Sequence, residues 1–85
     1  MWFIYIVRCA DDSLYTGIAK DVERRIEEHN SGNALAASYT RSRRPVELVY
    51  KEAVDTRSTA LKREYEIKQL TRRQKDDLLK TAAMG

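Results

Sequence analysis

One cysteine, one histidine, one proline and three glycines are all that this 85-residue chain holds of several residue types that constrain folds and reaction centres. The lone Cys9 excludes a disulfide framework and a cysteine-rich zinc site. The lone His29 excludes multi-histidine metal centres and argues against the usual nucleophile–histidine triads. No apolar run approaches the roughly 20 residues of a membrane span. The longest, Met1 to Val7, also lacks the layout of a signal peptide. Internal repeats and low-complexity segments are absent too. A soluble protein in a reducing, cytoplasmic setting is therefore expected.

What is present suits one small folded domain. Apolar residues make up 42% of the chain, enough to fold rather than remain disordered, and the length leaves no room for a second core. Net charge is only +3, but its distribution is uneven. Arg41, Arg43 and Arg44 cluster in a stretch, Ser31 to Val46, that contains no acid. Between Arg57 and Lys75, seven basic residues meet only Glu64 and Glu66. Such clusters suit a polyanion such as nucleic acid; a solvated charged face is the alternative.

Patterning predicts the elements. Trp2 to Cys9, rich in aromatic and β-branched residues, reads as a central strand. Asp11-Asp12-Ser13 is turn chemistry, and Leu14 to Ile18 makes the returning strand. Asp21 is placed to cap a helix running to about Asn30, which Gly32 would end. Residues 32–44 read as a loop or a broken short helix. Val46 to Val54 forms a third strand, with Pro45 at its entrance. A helix capped by Thr56 or Asp55 follows. Thr71 and Gln74 have capping-box spacing for a last helix reaching about Lys80. The expected fold is α+β, ββαβαα, with one three-stranded antiparallel sheet flanked by helices over residues 1–81 and a short tail at 82–85.

Glu64 is out of place in this pattern. At about 100° per residue, with Ala60 at zero, Ile67 falls near 340° and Leu61 near 100°. Glu64 falls near 40°, inside that apolar arc. A carboxylate there either pairs with a neighbouring cation at the stripe's edge or serves a purpose. An unpaired buried carboxylate costs several kcal/mol, so some cation must offset it. Mg²⁺ is one candidate, because it favours oxygen ligands and is often held by one or two carboxylates plus water.

Two further constellations have equally plain alternatives. Tyr5 and Tyr15 occupy the two hairpin strands, where tyrosine ordinarily packs the sheet. Arg25 and His29 lie one turn apart on the first helix, which also describes a charged helix surface.

Taken in order, Phe3-Ile4-Tyr5, Tyr15-Thr16-Gly17, Arg25 ten residues after Tyr15, His29 and Glu64 resemble the GIY-YIG nuclease domain. The resemblance covers nearly the whole chain and is nearest to small standalone bacterial members. Phe3 stands where the first glycine of the family's name motif would be, and Thr16 where its middle isoleucine would be. Many members carry a supporting asparagine late in the domain. Here the asparagines are Asn30 and Asn33, so that support is missing or supplied otherwise.

The resemblance implies metal-dependent phosphodiester hydrolysis on nucleic acid, DNA above all, with Mg²⁺ or Mn²⁺ as cofactor and a role in DNA processing or repair. It assigns Glu64 to the metal, Arg25 to the phosphate, and a tyrosine to the proton of the attacking water. Tyr5 is slightly preferred as base, with Tyr15 positioning water or phosphate. His29 would orient a tyrosine or touch phosphate, and Gly17 would permit close backbone approach. A phenol near pKa 10 needs cations nearby to act as a base at neutral pH. Arg41, Arg43, Arg44, Arg72, Arg73 and Lys75 are the expected phosphate contacts. The alternatives are a nucleic-acid-binding module without turnover and an adaptor that acts through a protein partner.

Overall fold

The computed structural model describes residues 1–31 and 38–84. Three strands, β1 (Trp2–Arg8), β2 (Leu14–Ala19) and β3 (Glu47–Val54), form one antiparallel sheet in the order β2-β1-β3. The expected central strand is central. Helices α1 (Val22–Ser31) and α2 (Ser38–Arg41) precede β3, and α3 (Arg57–Lys68) and α4 (Arg72–Met84) follow it. The α+β order matches the sequence reading, with the addition of α2.

Alternation along β1 divides the core in two. Tyr5 and Val7 point to one layer, where they pack with Cys9, Val22 and Val46. Ile4 and Ile6 point to the other, against Ala60 and Ile67 of α3 and, further out, Leu78 and Leu79 of α4. Period-two alternation assigns each neighbour to its layer: Tyr5 pairs with Gly17, and Val7 with Tyr15. Between Ile6 and Val7 the register against β3 slips by a residue, Ile6 pairing with Tyr50 and Val7 with Leu48. This bulge returns Leu48 to the α1 layer while Val49 and Tyr50 stay with α3.

The predicted caps form, with their choices resolved. Asp21 Oδ1 accepts from the Arg24 amide at 3.1 Å. Thr56, not Asp55, caps α3, accepting from Thr59 N–H at 3.1 Å. The capping box closes in both directions: Gln74 N–H donates to Thr71 Oγ1 at 3.1 Å, and Thr71 N–H to Gln74 Oε1 at 2.9 Å.

Other expectations shift. Helix α4 runs to Met84, beyond Lys80 and through most of the expected tail, since Thr81-Ala82-Ala83-Met84 offers no breaker. The α1 stop expected at Gly32, and Asn33, lie outside the described residues. Asn30 is committed to structure: its side-chain amide donates to Val46 C=O at 3.1 Å and accepts from Val46 N–H at 2.7 Å, tying α1 to the start of β3. Leu61 is 39% exposed and leaves the buried arc, so the stripe narrows to Ala60 and Ile67, with Glu64 on their line.

Candidate active site

The deepest part of the candidate site is built on the α1 layer. Tyr5, 1% exposed, projects from the central strand across its neighbour β2. A β-carbon at Gly17 would stand 2.5 Å from the Tyr5 oxygen and 2.7 Å from Cζ. Gly17 is therefore required by the phenol lying over it, rather than by a helix approaching the strand.

Helix α1 supplies the next two groups, one turn apart. His29 is wholly buried, and its Nε2 lies 2.8 Å from the Tyr5 hydroxyl. Arg25 forms a 2.8 Å ion pair with Glu28, and its charge acts on the same phenol. Tyr15 stands half-buried with its ring edge-on to His29, centroids 5.4 Å apart. Both tyrosines thus share one face of the sheet.

Electrostatics distinguish these groups. Burial, with a further contribution from Tyr15, pushes the Tyr5 phenol up to about 12; Arg25 pulls the other way. The expectation that cations lower this phenol is not met, because desolvation outweighs the single guanidinium. Burial, then the Arg25 cation, depresses His29 to about 4, so the imidazole is neutral at pH 7.

Helix α2, in a stretch expected as a loop or a broken short helix, adds two residues that no sequence pattern marks. Thr40, fully buried, places Oγ1 2.7 Å from His29 Nδ1. Tyr39 stacks on Tyr15 with centroids 5.8 Å apart and planes 26° apart. Nothing in the polar, small-residue sequence of this segment signals either contact. Both His29 nitrogens are engaged, which leaves no ring nitrogen for phosphate.

Glu64 approaches from the other layer. Helix α3, which carries it, packs on the Ile4 and Ile6 face of the sheet. The Glu64 charge still adds to the upward shift of the Tyr5 phenol. Its side chain is 18% exposed, with Lys68 3.5 Å away. The turn carrying it is anchored by Arg63, whose Nε lies 3.1 and 3.2 Å from the Glu52 oxygens, while Tyr50 donates to Glu52 at 2.6 Å.

Among the described residues no group of three or more histidine, cysteine, aspartate or glutamate side chains could hold a metal. A partly exposed carboxylate whose lysine partner is itself half-exposed nevertheless fits Mg²⁺, which keeps several waters and takes one or two carboxylates. A hollow of about 410 Å³ lies elsewhere, lined by Arg8, Asp12, Arg72, Asp76, Leu79 and Lys80.

The basic residues divide sharply. Arg43 Nε pairs with Asp11 at 3.0 Å, its NH1 donates to Tyr39 C=O at 2.8 Å, and its guanidinium lies 3.9 Å from the Tyr39 ring centre. Arg44 donates to Arg41 C=O at 3.0 Å. Arg72 bridges Asp76 at 3.1 Å and donates to Asp12 C=O at 2.7 Å. Arg41 is also engaged. These arginines, expected as phosphate contacts, also hold turns together within the fold. Arg73 and Lys75, on the first turn of α4, have no ion-pair or side-chain hydrogen-bond partner among the described residues.

Comparison with known proteins agrees with this architecture. The GIY-YIG catalytic domain model matches residues 1–77. A UPF0213 protein of Desulfotalea psychrophila is 58% identical over 99% of this chain and 76% of its own length. Another, from Staphylococcus aureus, is 60% identical over 92% of this chain and 93% of its own length. Two solution NMR structures share the fold. A UPF0213 protein from Bacillus halodurans has a TM-score of 0.61 at 44% identity, covering 95% of this chain and 85% of that one. A protein from E. faecalis has a TM-score of 0.64 at 42% identity, covering 98% and 86%. No helix among the described residues is long and apolar enough to cross a membrane. With the family model spanning every element from β1 into α4, the chain belongs to the GIY-YIG catalytic domain family, a nuclease family.

Proposed function

We propose that this protein hydrolyses phosphodiester bonds in nucleic acid, with DNA as the main substrate and Mg²⁺ or Mn²⁺ held at Glu64, in a DNA-processing or repair role in the cytoplasm. The observation that carries the reading is the arrangement of Arg25. Its guanidinium is paired with Glu28 at 2.8 Å and its charge acts on the Tyr5 phenol, while 27% of the side chain stays exposed. A planar, permanently charged fork in that position suits a phosphate oxygen and the charge that grows on it.

Exposure divides the labour between the tyrosines. Tyr5 is buried and holds its proton tightly, so it anchors Arg25 and His29. Tyr15 is the phenol that water and substrate can reach, and it takes the proton of the attacking water. This reverses the preference drawn from sequence. His29, with both nitrogens engaged, orients Tyr5 rather than touching phosphate. The metal, when bound, supplies charge stabilisation at the leaving oxygen. Arg73 and Lys75 contact the nucleic-acid backbone, and a protein partner supplies further specificity.

The test is cleavage of single-stranded, duplex and branched DNA, with and without Mg²⁺ or Mn²⁺. The parent should cut at least one substrate in a metal-dependent way. Tyr15→Phe should lose on the order of 10²–10⁴-fold, the usual share of a positioned base. Binding without turnover on every substrate would identify a binding module instead. Undiminished cleavage by Tyr15→Phe would remove Tyr15 from the base role.

A further inference from the structure

The hydrogen bonds around His29 have a direction that can be worked out from donor counts. The Tyr5 hydroxyl meets His29 Nε2 at 2.8 Å, and the Arg25 cation acts on the same phenol. Tyr5 is 1% exposed, so its own O–H needs an acceptor inside the protein. His29 Nε2, 2.8 Å away, is placed to accept it and must then be bare. Burial keeps the ring neutral, so its one proton sits on Nδ1. That nitrogen lies 2.7 Å from Thr40 Oγ1, which accepts the bond. The opposite tautomer would turn a donor toward the Tyr5 oxygen and leave the phenol hydrogen without this acceptor.

We infer that Thr40 is a positioning residue: its hydroxyl fixes the Nδ1–H tautomer of His29 and, through His29, the direction of the Tyr5 hydroxyl beside Arg25. Thr40 and His29 are both 0% exposed, so neither meets substrate and the effect travels along the hydrogen bonds. The link from Arg25 to phosphate rests on the hydrolysis proposed above. The tautomer itself does not.

The sole histidine makes the test unambiguous. Long-range ¹H–¹⁵N spectra at pH 7 report which ring nitrogen of His29 carries the proton. The parent should show Nδ1–H with a bare Nε2. Thr40→Val, which keeps the shape and removes the hydroxyl, should move much of that proton to Nε2. Its kcat should fall about tenfold with KM nearly unchanged, as expected when a reacting group is misaligned. Thr40→Ser should restore both the tautomer and the rate. A parent proton on Nε2, a Val variant that keeps the parent tautomer, or a Ser variant that restores neither readout overturns the inference. If Thr40→Val does not fold, the parent spectrum and Thr40→Ser still decide it. If the parent cuts no nucleic acid, the hydrolysis reading fails while the spectrum still tests Thr40.

Discussion

Adding one methyl group at Gly17 tests the innermost contact of the site. The new β-carbon of Gly17→Ala would stand 2.5 Å from the Tyr5 oxygen and 2.7 Å from Cζ, closer than atoms tolerate. Tyr5 cannot swing away freely, because it is 1% exposed and its hydroxyl is bound to His29 at 2.8 Å. Overpacking of this kind costs about 1–3 kcal/mol. Losing the His29 bond adds about 0.5–1.5 kcal/mol. Stiffening the unfolded chain returns about 0.4–1 kcal/mol. The expected net loss is about 0.5–4 kcal/mol, against a total stability of about 4–13 kcal/mol for a domain of this length. Urea denaturation reads it directly. Tyr5→Phe removes the atom nearest the clash but leaves His29 Nε2 unpaired, costing about 1–3 kcal/mol alone. In the Gly17→Ala background it should cost less, because that bond is already strained and the clash is partly relieved. A Gly17→Ala protein within about 0.5 kcal/mol of the parent, or strictly additive single changes, would refute the packing argument.

Glu64→Gln should abolish metal-dependent cleavage, by on the order of 10³-fold or more, since the metal's charge stabilisation is worth several kcal/mol. Its metal-free stability should move by no more than about 0.5 kcal/mol, because only an i,i+4 pair with half-exposed Lys68 is lost; a large drop in the metal-free melt would make Glu64 structural. Acid should destabilise the fold through His29, whose depressed folded value of about 4 lies below its ordinary 6.5. Stability from this group is complete above pH 6.5 and is lost as pH falls toward 4, about 2 kcal/mol by pH 5. A pH profile flat from 7.5 to 5, or one unchanged by His29→Gln, would contradict this. Replacing Arg73 and Lys75 by Ala should lower the slope of log affinity for duplex DNA against log salt by about 2, with no change in Tm. Arg43→Ala should instead cost about 1–2 kcal/mol of stability, since its stacking on Tyr39 and its bond to Asp11 are lost. The reverse pattern would return Arg43 to the phosphate contacts.

The hairpin, the caps and the order of elements were legible because each rests on local chemistry: alternation in Trp2–Arg8, the Asp21 cap, the reciprocal Thr71 and Gln74. Tyr5, Tyr15, Arg25 and His29 were legible as a set because strand and helix periodicity place them on shared faces. Helix α2 was not, since four residues show no period, and the value of Tyr39 and Thr40 lies entirely in what they meet across the fold. The partners of the clustered arginines were hidden for a related reason. Sequence counts charges, whereas the acids that hold Arg43 and Arg72 come from the distant hairpin turn. Glu64 stood out as a carboxylate inside an apolar arc, but wheel geometry cannot say which layer of the sheet its helix will cover.

That hairpin turn has a kinetic consequence. Asp12 adopts a left-handed conformation, with φ at 69°, beside an Asp11 whose carboxylate accepts from the Ser13 amide at 3.0 Å. Each aspartate is also gripped from far along the chain, Asp11 by Arg43 and Asp12 by Arg72, on elements separated by the whole of β3 and α3. The two strands can therefore zip together as neighbours, while the bend that joins them is finished only after distant segments have come home. Local contacts close first and long loops later. Transition-state φ-values should accordingly be high for pairs such as Ile4 with Ile18 and near zero for Asp11 and Asp12. The tightest corner of the molecule would then be among the last parts of it to set.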